Sequence, residues 1–391
     1  MYDGGLDDPR LRAAIRLALR AHGFSISRIE LDAAATSRWQ LGCWLRDQTL
    51  PERFPPFVHV SDYRGIAEED PHLWGYLPHM FAFGYEQAVV LHGLAPVSPE
   101  VDAAVAMLGA AFSAGIALLD YLVDEHAQGA ILFEALNRDM VRRIFEPGDE
   151  QDAAFARTYE QFTDPRLRLL IALITTCRAG LHDLHRLSGN DVAWVGLAEM
   201  INQLYEAERI VSSATTSREE IRSLLPALET KSVLPFVVMQ QISALATSQP
   251  KDPARGRHAS ATLGRIVWLV DDLVDLLADY RRNAPNAAVL RLADLLAEGG
   301  HAMASDADIY DVVDATVTEL VALLPPDAFE IRPTTNDQRP TTDFIHQTHG
   351  KAVTGHSSES LRNSEVYRIP VERDEGKADL VTVLDFARLT V

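Results

Sequence analysis

Cysteine is nearly missing from this chain: two occur among 391 residues, Cys43 and Cys177, with no CxxC pair. That excludes a disulfide framework and the common zinc sites, fits a reducing compartment, and leads us to expect a cytoplasmic location. Positive charge is scarce as well. Lysine and arginine number 36 against 56 aspartates and glutamates, a net charge of −20. A nucleic-acid partner, whose phosphates need a basic surface, is therefore not expected. The same surplus of carboxylates suits a protein that collects divalent cations. No HExxH, GxSxG, GxGxxG or Walker-type phosphate loop occurs, which removes the zinc-protease, hydrolase, dinucleotide and nucleotide-triphosphate readings. The first ten residues, MYDGGLDDPR, are acidic where a signal peptide is basic, and no apolar run reaches the ~18 residues of a membrane span, so no stable membrane insertion is expected.

What is present has the balance of a soluble globular protein, with 47% hydrophobic and 24% charged residues. Strand signals are almost absent. Apolar residues recur at three- and four-residue spacing over 9–22, 99–126, 131–145, 165–188, 193–213, 218–247, 257–282, 284–298 and 306–324, which predicts an all-α bundle. Between 49 and 97 prolines and aromatics crowd together, and short helices joined by turns are expected there. Beyond about 328 the chain turns polar (RPTTNDQRPTTDFIHQTHGK) and cannot offset its ordering entropy by burial, so residues 1–328 read as one helical domain and 329–391 as a flexible tail.

Two acidic clusters interrupt the apolar helices. In GRIVWLVDDLVDLLADYRR, Asp271, Asp275 and Asp279 lie four apart and share one helix face, with Asp272 beside them. Like charges at this spacing repel by ~0.2–0.5 kcal/mol per pair even when exposed. A solvated face with basic neighbours is the plain alternative, but no lysine or arginine stands between Arg265 and Arg281, and the flanking residues are almost all apolar. A second segment, AAVAMLGAAFSAGIALLDYLVDEH, ends in Asp120, Asp124 and Glu125, the first two again four apart. Two buried helices offering carboxylates across a cavity suit Mg²⁺, which takes a few carboxylates, waters and phosphate oxygens.

These residues resemble the trans-isoprenyl diphosphate synthase and class I terpene synthase superfamily over about 100–300. Gly264, Val267-Trp268 and the complete DDxxD of Asp271–Asp275 fall in register with its second aspartate motif, although Val-Trp replaces Phe-Gln. Asp120-Tyr121-Leu122-Val123-Asp124 is similar to the first motif, with tyrosine at the second acid. Lys231-Ser232 stands where the family has Lys-Thr, and Gln203 with Glu206 resembles its Gly-Gln-x-x-Asp/Glu helix, with Asn202 for the glycine. The resemblance implies an isoprenoid-synthase bundle, often dimeric. It implies Mg²⁺ held by Asp120, Asp124, Glu125, Asp271, Asp272, Asp275 and Asp279, and an allylic isoprenyl diphosphate held by Lys231, Gln203, Arg281 and Arg282.

The family's Gly-Gly-Lys-Arg and Arg-Arg-Gly motifs, which hold a second diphosphate in chain-elongating members, are absent here. Cyclisation of one substrate by a terpene cyclase is therefore expected ahead of prenyl transfer or chain elongation. A non-catalytic modulating subunit is the third alternative, and it predicts eroded aspartates. Trp268 is expected either to face the allyl cation or to fill core space. Ile116, Ser113 and Phe112 below Asp120 are expected to wall the prenyl cavity, with Phe112 as its floor. In the resembling synthases an aromatic five residues before the first aspartate closes the cavity early. Here that position is Gly115, so a C20 chain is expected over C15. His182 and His185 are expected to be satisfied structural histidines.

Overall fold

Helical periodicity becomes helix almost throughout. The computed structural model describes residues 8–22, 28–92, 99–125, 128–212, 218–246, 253–282, 284–300 and 303–323, and among these fifteen α-helices and no strand occur. They are α1 (Pro9–Ala21), α2 (Arg28–Trp44), α3 (Val60–Glu69), α4 (Pro71–His92), α5 (Pro99–Asp120), α6 (Gly129–Ala135), α7 (Arg138–Arg143) and α8 (Asp149–Gln161). After these come α9 (Pro165–Ser188), α10 (Asp191–Ser212), α11 (Arg218–Leu245), α12 (Pro253–Val274), α13 (Leu276–Arg282), α14 (Ala287–Gly299) and α15 (Asp306–Leu323). Starts are fixed by side chains. Asp8 and Asp164 each accept a first-turn amide ahead of a proline at the first helical position, and Asn137 and Asn286 cap α7 and α14. The expected tail from 329 onward lies outside the described residues.

Three expectations change. The span 49–97 holds not only short helices but the 22-residue α4, with Pro78 inside it. Proline removes the amide that would bond the carbonyl of residue 74. Here the Arg46 guanidinium donates to the Trp74 carbonyl at 2.9 Å and stacks over the Trp74 ring, so the helix runs on. The span 131–145 divides at Leu136 and Asn137 into α6 and α7, because Asn137 starts a new helix. One helix, Ala103–Val123, does have the length and apolarity to cross a membrane, but more than half of it is buried against the rest of the protein, as suits a core helix.

The apolar residues form two clusters. The larger is built chiefly on α4, α5, α9, α10 and α11, and the smaller on α1, α12, α13, α14 and α15. Helix α12 lies between them. Its Ile266, Leu269, Val270 and Leu273 face the smaller cluster, while it packs closely along α11. Gly264 permits that approach, since a Cβ there would sit 2.8 Å from the Val233 Cα. Helices α4 and α5 meet in the same way at Gly84 and Gly109, where a Cβ on Gly84 would lie 2.2 Å from the Gly109 carbonyl oxygen.

Candidate functional site

Lys231, near the middle of α11, is the cation that joins the helices. Its Nζ lies 2.6 Å from Asp120 Oδ1 on α5 and 3.2 Å from Glu208 Oε2 on α10. Glu208 is almost fully buried at 4% side-chain exposure, while Asp120 is half-buried. The charge of Lys231 also reaches Asp271 on α12 and lowers its proton affinity. Four helices therefore present charge to one point.

The aspartate stripe survives a break in its helix. Asp275 bends the chain between α12 and α13, yet its amide still bonds Asp271 O at 3.0 Å, and the Asp279 amide bonds Asp275 O at 2.8 Å. Asp275 is buried, and its Oδ1 has no hydrogen-bond partner. Asp271 is open to water, although the protein packed around it hinders its hydration. Asp272 is turned to a structural task. One of its oxygens accepts the Ala287 amide at 2.9 Å, at the start of α14, and Asn286 joins the Asp272 carbonyl to Asp279 Oδ2, both at 2.9 Å.

Desolvation by the surrounding protein raises all four carboxyls, the exposed Asp271 included. It lifts Asp271 to about 7, with the charges of Asp279 and Asp120 adding and Lys231 opposing. It lifts Asp275 to about 8, with Asp271 and Asp279 adding and Arg282 opposing. Asp272 and Asp279 are raised by burial too, against the Ala287 amide and the Asn286 amide respectively. A carboxyl raised in the folded state binds its proton more tightly than in the unfolded chain, so its contribution is full at low pH and is lost as pH rises. The metal-free protein should therefore lose thermal stability between about pH 4 and pH 8, and Asp271→Asn should flatten that slope. A midpoint measured in chelator that rises across the same window would contradict this.

Other expected site residues are spread more widely. On α10, Ile201, Leu204, Tyr205 and Glu208 face an internal cavity, and a helix of 3.6 residues per turn then points Gln203 elsewhere. Gln203 is exposed, and Glu206 pairs at the surface with Arg138 and Arg209. The diphosphate contact expected of Gln203 is thus on the wrong face, and Glu208 takes the inward position. Arg281 is exposed and bonds Asp8 at 3.0 Å, away from the stripe, whereas Arg282 acts on Asp275 and Asp279. Trp268 is half-buried and belongs to neither hydrophobic cluster. The side chains of Asp124 and Glu125 lie outside the described residues. His182 bonds the Ile144 carbonyl at 3.0 Å, and His185 bonds Asp191 at 2.9 Å while stacking on Trp194.

The cavity has a volume of about 120 Å³ and is partly open to solvent. Its lining is almost wholly apolar. Leu119, Ile116, Gly115 and Phe112 on α5 form one wall, Phe155, Leu173 and Cys177 also line the cavity, and Glu208 is the one acidic residue among the described lining residues. Burial raises the Cys177 thiol to about 12, so it is an apolar filler there and not a nucleophile. Ser113 faces α4 instead, with its Cβ against Gly84. Glu208 therefore links the ionic centre to the apolar chamber. No protein-family model, curated protein or solved structure matches the chain.

Proposed function

We propose that the protein is a Mg²⁺-dependent class I terpene cyclase that ionises one linear allylic isoprenyl diphosphate and cyclises the resulting cation. The observation that carries the reading is the junction itself. Asp120 on α5 and Glu208 on α10 close on Lys231, whose charge also reaches Asp271 on α12, and Glu208 in turn lines an apolar chamber. An amphiphile with an anionic head and a hydrocarbon tail matches both halves.

The donor set favours a hard cation. Asp120, Asp271 and Asp275 offer oxygen only, the buried Asp275 Oδ1 is without a partner, and burial of the stripe calls for positive charge. Among the described residues no three acidic, histidine or cysteine side chains close into a ready ligand shell. Mg²⁺ held there would keep waters and substrate phosphates among its ligands. Bound there, Mg²⁺ would supply Lewis-acid stabilisation of the diphosphate leaving group. Lys231 would give that group a fixed positive charge. The apolar wall from Leu119 to Phe112 would hold the tail folded and keep water from the cation. Trp268 could present its ring face to the cation, worth ~0.5–2 kcal/mol.

The test is inorganic diphosphate release from allylic diphosphates of increasing length, with Mg²⁺ or chelator, and with or without isopentenyl diphosphate. Release from a single substrate with a cyclic hydrocarbon or cyclic alcohol as product supports a cyclase, whereas linear products alone would count against it. Longer diphosphates formed only with isopentenyl diphosphate would make the protein a prenyltransferase, and no release from any substrate would leave a binding subunit.

Chain length should follow the α5 wall, with a C20 diphosphate preferred over C15. A Cβ on Gly115 would meet nothing closer than the Leu173 Cβ at 3.9 Å, so Gly115→Phe can be built and projects into the chamber. Overpacking a wall costs about 1–3 kcal/mol when the chain cannot move aside, and the preference should shift to shorter substrates. Phe112→Ala should shift it to longer ones. Unchanged preference in both variants would mean that the tail does not lie along α5.

A further inference from the structure

In the first acid motif, tyrosine holds a place where the resembling family has an acid. The Tyr121 side chain is buried, and its hydroxyl donates to Asp70 Oδ2 at 2.9 Å. Asp70 caps α4 by accepting the Leu73 amide at 2.9 Å, and the Arg166 guanidinium contacts it at 3.4 Å. Arg166 also holds Asp164 at 2.7 Å, and Asp164 accepts from Gln128 Nε2 at 2.9 Å. The Gln128 amide returns to the Leu122 carbonyl at 3.1 Å. Tyr121 opens the π turn Tyr121–Glu125, and Gln128 immediately precedes α6. Two side chains seven residues apart thus reach one arginine, each through one aspartate.

We propose that this Tyr121–Asp70–Arg166–Asp164–Gln128 network is a tether that sets the position of the turn carrying the first acid cluster, with Tyr121 a positioning residue and not a lost metal ligand. The role assigned to that turn rests on the proposed Mg²⁺ and diphosphate site. The existence of the tether does not. A π turn widens the helix at Asp120, and such turns persist only when surrounding contacts hold them. Both aspartates are kept ionised. Burial pushes Asp164 up, but hydrogen bonds from Arg166 and Gln128 outweigh it and hold the group at about 2. Asp70 is likewise raised by burial and lowered further by the Leu73 amide, Tyr121 and Arg166. The hydrogen bonds are therefore charge-assisted ones between partly buried groups, the stronger kind.

Two measurements on the full chain separate the tether from the reaction. Hydrogen exchange of the amides at 121–125 and 128, without metal or substrate, should quicken about tenfold in Tyr121→Phe, the loss expected for one buried hydrogen bond to a charged group. Exchange in α14 and α15 should not change. Asp70→Asn, which can still cap α4, should act in the same direction and covers the case that the phenylalanine variant folds poorly. For turnover, Tyr121→Phe should raise the Mg²⁺ concentration giving half-maximal diphosphate release several-fold while leaving the rate at saturating Mg²⁺ within about twofold. Tyr121→Asp restores the family pattern on paper but sets a carboxylate against Asp70, and should raise that Mg²⁺ requirement further. Unchanged exchange in Tyr121→Phe, or a lower Mg²⁺ requirement in Tyr121→Asp, overturns the proposal. If the wild type releases no diphosphate, the proposed reaction fails and the exchange result alone decides the tether.

Discussion

Asp271→Ala is expected to lower diphosphate release by about 10²–10³-fold, the usual cost of removing one group that stabilises transition-state charge, while the protein stays folded. Asp271 is exposed and its charge interacts unfavourably with those of Asp120, Asp275 and Asp279, so its carboxyl contributes repulsion, not packing. Alanine is the best helix former, so α12 should persist. Without metal the variant should melt no lower than wild type, since one of several repelling charges is gone. In the wild type, Mg²⁺ with inorganic diphosphate should raise the melting temperature by mass action, and in Asp271→Ala that rise should largely vanish. Asp294→Ala serves as a control. It removes the same charge from an exposed pair with Arg222 on α11, a contact worth ~0–1 kcal/mol, and should change neither quantity. Turnover of Asp271→Ala within twofold of wild type would remove the stripe from the site.

Much of the fold was legible because it is governed by local rules. The 3.6-residue period and the Asp-Pro and Asn caps place helices such as α9 and α14 to within a few residues. The stripe was legible for the same reason: residues at i, i+4 and i+8 must share a face whatever packs against them. What escaped is long-range. Nothing near Pro78 in the sequence announces that Arg46, more than thirty residues away, would take up the freed Trp74 carbonyl. Nor does Tyr121 announce Asp70, 51 residues away.

Glu208 is a different case, because a local signal existed. Leu197, Met200 and Leu204 mark the buried stripe of α10, and 208 is the next position on it. A charged residue where the period requires an apolar one is a candidate for function. The family pattern of glutamine and acid drew attention to Gln203 and Glu206 instead, and both look outward. Asp272 teaches the converse. Asp271 is exposed and Asp275 is buried with an unpartnered oxygen, but one residue of rotation gives Asp272 to the α14 amide, so a motif written in letters joins side chains that the helix separates.

Lys231→Met should have the largest effect on stability, and the reason differs from its effect on chemistry. Methionine keeps the length and most of the packing of lysine but leaves Glu208, at 4% exposure, without the cation 3.2 Å away. Breaking a buried pair by removing one partner costs about 3–5 kcal/mol, which corresponds to a fall of roughly 5–10 °C in melting temperature for a protein of this size. Turnover should fall by about ten- to a hundredfold, since the diphosphate loses one charge-assisted contact. Both losses in one variant could come from misfolding alone, and a second substitution separates them. In Lys231→Met with Glu208→Gln neither partner is charged, so most of the melting temperature should return. Turnover should not return, because the neutral pair still offers no cation to the leaving group, and Asp120 still lacks the ammonium 2.6 Å from its Oδ1. Should the double variant regain wild-type turnover along with its stability, Lys231 would serve only to neutralise Glu208, and the diphosphate would have to be bound elsewhere.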